Sequence, residues 1–279
     1  MAQTMIKPWR VIITRPQIQA QVWAEQLKAQ GFHTQLLNLL EIRPLMEPDQ
    51  QRAIQNRVMD FDLYQKAIFV SQNAVEHGME WLDRYWPQLP MGVKYFAVGA
   101  TTARLLAGYG VVVEDLAQAE SGSMTSESLL QASGLQDVAG EKIIIFRGLG
   151  GRGHLGEALQ ARGAHVDYCE LYERCLPVEA ALQLQTLVMD TASWAAHRNL
   201  LTLHSGESLE HLLIILGQLE KPQPSVPFRQ LLQQAYFLVP SERIKQLVYA
   251  QGFQHILLAG NATDAAMTQA LLAANSDIE

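Results

Sequence analysis

The feature that most constrains this chain is a six-fold alternation. A short apolar run ends in a small or polar residue, a loop follows, and a segment of helical period begins. The pairs are Val11–Thr14 into Gln17–Gln30, Ala67–Val70 into Ala74–Arg84, and Tyr95–Val98 into Thr101–Tyr109. They continue with Ile143–Phe146 into Leu155–Arg162, Leu200–Leu203 into Ser208–Leu216, and Tyr236–Val239 into Glu242–Gln251. Four of the helical segments close on a glycine placed to adopt the left-handed turn after a helix: Gly31, Gly110, Gly163 and Gly252. Strand and helix in strict alternation predict an α/β protein with parallel sheets.

The alternation also repeats itself. Ile13, Arg15, Glu25, Leu27, Ala29, Gly31, His33 and Glu41 match Ile145, Arg147, Glu157, Leu159, Ala161, Gly163, His165 and Glu173 at a constant offset of 132. At an offset of 134, Ser71, Glu76 and His77 match Ser205, Glu210 and His211. Duplication predicts two similar parallel-sheet domains flanked by helices. The 279 residues suit two ordinary domains. The long alternating runs Thr34–Pro44 and Ala164–Pro177 both exceed a normal strand. They are expected to carry the chain between domains as a two-stranded β-ladder. The expected division is residues 1–39 with 178–279, residues 46–169, and a ladder of 40–45 and 170–177. The stretch Lys221–Pro227 reads as a surface loop.

Charge and cysteine content exclude several roles. With 21 Lys and Arg against 28 Asp and Glu, the chain carries a net charge of −7, so a nucleic-acid coat is not expected. No apolar run approaches the roughly 20 residues of a membrane span. Met1–Arg10 lacks the pattern of a secretory leader. A cytoplasmic protein with neither nucleic-acid nor membrane partners is the expectation. Cys169 and Cys175 lie six apart in a strand-like run, roughly 20 Å between Cα atoms, too far for a disulfide. No metal-ligand spacing is present.

Ligands of open α/β sheets bind at the carboxyl ends of the strands. The loops there carry Ser71, Asn73, Thr101, Thr102, Ser205, Ser208 and Ser241, where unpaired helix N–H groups favour anions. Each hydroxyl also suits a plain helix cap. Arg15 and Arg147 follow equivalent strands, and a guanidinium fork suits carboxylates. Arg152 lies in a glycine-rich loop that starts at Gly148. That loop, Gly148–Gly153, fits G-x-G-x-x-G, and Glu173 follows the last glycine by 20 residues, so an NAD(P)-binding oxidoreductase is one reading. The first repeat lacks these glycines, which counts against it. A non-enzymatic, hinged binder of small anions is another reading. His154 opens the helix beside the loop; His77 and His211 fall inside helices, where a solvated or capping role is expected.

The chain resembles the uroporphyrinogen-III synthase family. The resemblance rests on Val-Ile-Ile-Thr-Arg-Pro (11–16), Ile-Phe-Val-Ser-Gln-Asn-Ala-Val (68–75), Ala-Val-Gly-Ala-Thr-Thr-Ala (97–103) and Phe-Arg-Gly-Leu-Gly-Gly-Arg (146–152). Arg-Gly-Ala-His-Val through Glu-Leu-Tyr-Glu-Arg (162–174) and Val-Pro-Ser-Glu-Arg-Ile (239–244) complete it, in order along nearly the whole chain. The resemblance implies two α/β domains joined by a two-stranded ladder, a monomer, and no cofactor. It implies closure of hydroxymethylbilane, a linear tetrapyrrole, to uroporphyrinogen III with inversion of ring D. It implies that Tyr172 assists departure of the terminal hydroxyl; read from the residues alone, Tyr172 is a packing candidate near a hinge. The chain departs from the family pattern at Pro-Ser-Glu-Arg-Ile (240–244). It departs again in Thr-Leu-His-Ser-Gly (202–206), where a histidine replaces the more usual Thr or Ser.

Overall fold

The computed structural model describes residues 7–114, 126–220 and 228–276. The readings of Lys221–Pro227 and of the first six residues lie outside them. Ten strands are present among the described residues: β1 (Trp9–Ile13), β2 (His33–Leu36), β3 (Glu41–Pro44), β4 (Lys66–Phe69) and β5 (Lys94–Ala97). β6 (Lys142–Gly148), β7 (His165–Cys175), β8 (Arg198–Thr202), β9 (Tyr236–Val239) and β10 (His255–Leu258) follow. The chain divides into two compact units, one made of residues through Glu41 with Cys175 onward, the other of Ile42–Arg174.

The first unit holds a five-stranded sheet in the order β10-β9-β8-β1-β2, parallel throughout. β1 is buried along its whole length, as a strand covered on both faces must be. Its side chains alternate between two cores: Ile12 joins Leu37, Leu39 and Leu201 on one face, and Val11 and Ile13 join Trp23 and Leu27 on the other. Each such branched side chain, fully buried, contributes about 1.5–3 kcal/mol. The Trp23 indole N–H donates to Thr268 Oγ1 (2.9 Å), which ties the first helix to the last.

The second unit repeats the plan with the order β3-β7-β6-β4-β5. β4, β5, β6 and β7 are parallel. β6 alternates in the same way, with Ile144 and Phe146 in one core and Ile143 and Ile145 in the other. β3 runs against β7: the Leu45 N–H donates to Leu171 O (3.1 Å), Arg43 pairs with Glu173 (3.5 Å), and Cys175 Sγ lies 3.8 Å from Glu41 O. The two cysteines form no disulfide.

The repeat seen in the sequence is split between the two units. β1 and β2 match β6 and β7 at one offset, and β4 matches β8 at the other. In space the order β2-β1-β8-β9 of the first unit is the order β7-β6-β4-β5 of the second. Each unit therefore combines the first half of one repeat with the second half of the other.

Two further differences from the sequence reading are local. Thr34–Pro44 is not one strand: β2 ends at Leu36, and Leu37 and Leu39 turn into the core before β3 begins. The helix Pro48–Met59 escapes the alternation because only Ile54 and Val58 are buried on it; Pro48 opens it, where a missing N–H costs nothing. The four expected C-terminal glycines all have φ between +83° and +88°.

Candidate active site

The site is built in the second unit, where β4, β6 and β7 end. After β4 the chain extends through Ser71, whose Oγ accepts the Ala74 N–H (3.1 Å) and caps the helix Gln72–Tyr85. β6 ends at Gly148. On β7 the register slips: Arg147 stands opposite Glu170, but Gly148 stands opposite Tyr172. That slip is a β-bulge at Leu171. Strict alternation would turn Tyr172 to the same side as Glu170; the bulge lets Leu171 and Tyr172 both point inward.

Tyr172 is thereby fixed on three sides. Its hydroxyl shares a 2.8 Å hydrogen bond with Ser71 Oγ. Its ring meets the His77 ring at 5.5 Å between centroids. On the third side lies Gly148, where a Cβ would come within 2.7 Å of the phenol ring. Glycine is required there by the close approach of the ring.

A cleft of about 300 Å³ opens in front of the phenol. Ser71, Arg147, Gly148, Arg152, Tyr172 and Arg174 line it. Arg147 is buried, with its guanidinium 4.6 Å from the centre of the Tyr168 ring and its Nε–H donating to Gly148 O (3.2 Å). Arg152 and Arg174 are exposed at the edge of the cleft. One phenol and three guanidinium groups thus line the cleft, Arg147 with Glu170 3.9 Å from its Nε, a set rich in groups that pair with carboxylates.

The glycine loop does not offer a dinucleotide cradle. Its Leu149 N–H donates to Tyr172 O (2.7 Å), and the Gly150 N–H donates to the Glu170 carboxylate (3.1 Å). Glu173, the acid that would hold a ribose, is paired with Arg43. Two loop donors and the ribose acid are thus engaged inside the protein, and nothing in the loop supports the oxidoreductase reading.

The remaining expected residues are dispersed. Asn73 lies in the first turn of the Ser71-capped helix and Thr101 is exposed on the helix Ala100–Gly108. Thr102, on the inner side of that helix, is 5% exposed, and Ser208 is 4% exposed. Both lie on the side of their helices that packs against the protein. In the first unit Ser205 and Ser241 are helix caps, accepting from the Ser208 N–H (3.3 Å) and the Ile244 N–H (3.5 Å). Arg15 is paired with Asp264; burial pushes the pKa of that carboxyl up, while the arginine pulls it down. His154 is exposed at its helix start, and His211 Nδ1 meets Leu39 O (2.5 Å). Sequence reasoning missed Arg174 and Tyr168. The first carried a signal, standing two residues from Tyr172 on a strand.

The family model for uroporphyrinogen-III synthase HemD matches residues 21–269. The chain belongs to the uroporphyrinogen-III synthase family. It is 32% identical over 269 residues to the uroporphyrinogen-III synthase of Escherichia coli K12, covering 94% of this chain and 99% of that protein. It is also 32% identical over 265 residues to that of Salmonella typhimurium LT2, with the same coverage. Among solved structures, the Helicobacter pylori 26695 uroporphyrinogen-III synthetase superposes with a TM-score of 0.59 at 13% identity, over 95% of this chain and 99% of that one. A mutant of the Thermus thermophilus uroporphyrinogen III synthase gives 0.57 at 16%, over 96% and 99%. These two likenesses show a shared two-domain α/β fold. Among the described residues no helix is long and apolar enough to cross a membrane, and no three His, Cys, Asp or Glu side chains gather as metal ligands.

Proposed function

We propose that this chain closes hydroxymethylbilane to uroporphyrinogen III, inverting ring D and releasing water. Family membership along nearly the whole chain carries this reading, and the phenol held over an arginine-lined cleft supports it. The linear substrate carries eight carboxylates. Arg147, Arg152 and Arg174, with Arg15 of the first unit, are the groups suited to hold them.

In the proposed reaction the terminal C–O bond breaks and the hydroxyl leaves as water, taking the proton of the Tyr172 phenol. The nitrogen lone pair of the adjacent pyrrole fills the vacated carbon through the ring and leaves an azafulvenium cation. Ring D attacks it through a spiro intermediate, and the proton released at the end returns to Tyr172. As the phenol loses its proton, Ser71 donates to the phenolate oxygen, a role its 2.8 Å contact supports. A positioned general acid is worth about 10²–10⁴ in rate, and orientation of the flexible bilane supplies the rest.

The same reading makes the protein a cytoplasmic monomer acting on a small polyanion. The deciding test incubates the protein with enzymatically generated hydroxymethylbilane, oxidises the product and separates the porphyrin isomers. Isomer III in excess supports the assignment; isomer I alone, the product of spontaneous closure, ends it.

A further inference from the structure

The first unit rebuilds, at its own strand ends, the surroundings of the cleft in the second. Arg15 stands where Arg147 stands, and Ser205 where Ser71 stands, each serine capping the helix behind it. The offset that relates the serines also puts His204 in the position of Val70, and Val70 lines the cleft. Where the second unit presents an apolar wall, the first presents an imidazole.

That imidazole is unlike any other in the chain. Both ring nitrogens are shut off from solvent, and neither has a hydrogen-bond partner among the described residues. Trp23 meets the ring edge-on at 5.5 Å, so one side is closed by an apolar wall. The neighbouring hydroxyls are spent on the backbone, Thr14 donating to Thr202 O and Thr202 donating to Ile12 O (3.4 Å). Arg15 is the charged group that acts on the ring, and it is itself paired with Asp264. Burial, with Arg15 adding to it, takes the imidazole down to about 3, so the ring is neutral at working pH. A neutral imidazole carries one donor and one acceptor. Leaving both unmet in the interior is costly, and such groups persist where something else requires them.

We propose that His204 is a specificity-determining substrate contact of the first unit, whose two nitrogens meet groups on two neighbouring pyrroles of the substrate. The ring N–H donates to a carboxylate of one pyrrole, and the other nitrogen accepts the N–H of its neighbour. Asp264 occupies Arg15 where a substrate carboxylate would, and exchange of one for the other gives access to the imidazole. The carboxyl of Asp264 is held at a desolvation cost, which favours the exchange. This inference rests on the function proposed above.

The test copies the second unit into the first. His204→Val reproduces Val70, and His204→Gln keeps a donor and an acceptor. With enzymatically generated bilane, His204→Val should raise KM about tenfold, the loss expected for a hydrogen bond whose partner is left unmet, with kcat within about twofold. It should also melt about 2 °C or more above the wild type, because two orphaned nitrogens are removed. His204→Gln should recover most of the KM. An unchanged KM in His204→Val overturns the proposal, whichever way its melting temperature moves. Independently of any variant, imidazole ¹⁵N resonances of His204 in the wild-type protein should shift when uroporphyrinogen III is added, and unmoved resonances overturn it. Wild-type protein that forms no isomer III fails the functional reading instead, which separates the two failures.

Discussion

Acid should destabilise this protein through one residue. An imidazole in the unfolded chain titrates near 6.5, whereas burial takes His204 down to about 3 in the fold. Between those values the unfolded chain binds a proton that the folded chain refuses. The stability is therefore fully present above pH 6.5 and is lost as the pH falls toward 3. Each pKa unit is worth about 1.4 kcal/mol, so the whole span costs about 5 kcal/mol, and the step from pH 7 to pH 5 costs about 2 kcal/mol. Urea unfolding of the wild type and of His204→Val at both pH values measures it. Asp264 and every other titrating group are common to the two proteins and cancel in the difference. The wild type should lose about 2 kcal/mol more than the variant between pH 7 and pH 5. Losses equal within about 0.5 kcal/mol would refute the reasoning, because a buried neutral imidazole cannot titrate like a solvated one.

Other outcomes follow from the cleft. Ser71→Ala removes a helix cap and the partner of the Tyr172 phenol, and should cost about 2 kcal/mol, roughly half from each. In a double-mutant cycle with Tyr172→Phe the coupling should be about 1 kcal/mol; additivity within about 0.3 kcal/mol means the two hydroxyls do not bond in solution. Gly148→Ala places a Cβ 2.7 Å from the phenol ring. It should cost about 1–3 kcal/mol and lower kcat at least about tenfold, and a wild-type kcat would show that ring placement does not govern turnover. Because the chain is acidic and its cations are few and local, KM should change by less than about tenfold between 50 and 200 mM salt, a shallower response than that of nucleic-acid proteins.

The parts of the fold legible in sequence are those whose side chains face apolar surroundings on both sides. β1, β4 and β9 read as short apolar runs because every position is covered, or nearly so. The helix Pro48–Met59 was invisible for the opposite reason, touching the core through two residues only. β10 was missed because it is an edge strand and only half-buried, and the helix Asp264–Ser276 because only Met267 and Leu271 are buried on it. At the site, Ser71, Arg147, Gly148, Arg152 and Tyr172 were legible from loop position or from the family's motifs, and the structure gathers these five on one cleft. What alternation could not give is the orientation of Tyr172. A single extra residue on β7 decides that, and a bulge leaves no mark in a pattern of period two. The burial of Thr102 and Ser208 escaped for a similar reason: a hydroxyl in a first helical turn looks the same whether its helix packs that side or exposes it.

The exchange of half-repeats between the two units has a consequence for assembly. The first unit is discontinuous: its opening strands wait for partners more than 130 residues away. Closing a loop of that length in a flexible chain costs about 4 kcal/mol of entropy. The second unit is one unbroken segment, and when β3 pairs with the end of β7 it draws Glu41 and Cys175 together. The inserted segment then acts as a clasp, so the ends meet as neighbours once the middle has formed. Order of synthesis favours the same sequence, since the middle leaves the ribosome before the closing strands do. Residues 42–174 made alone should therefore unfold cooperatively on heating, while a chain cut at residue 108 should fold in neither half, although that cut leaves each half one whole copy of the repeat.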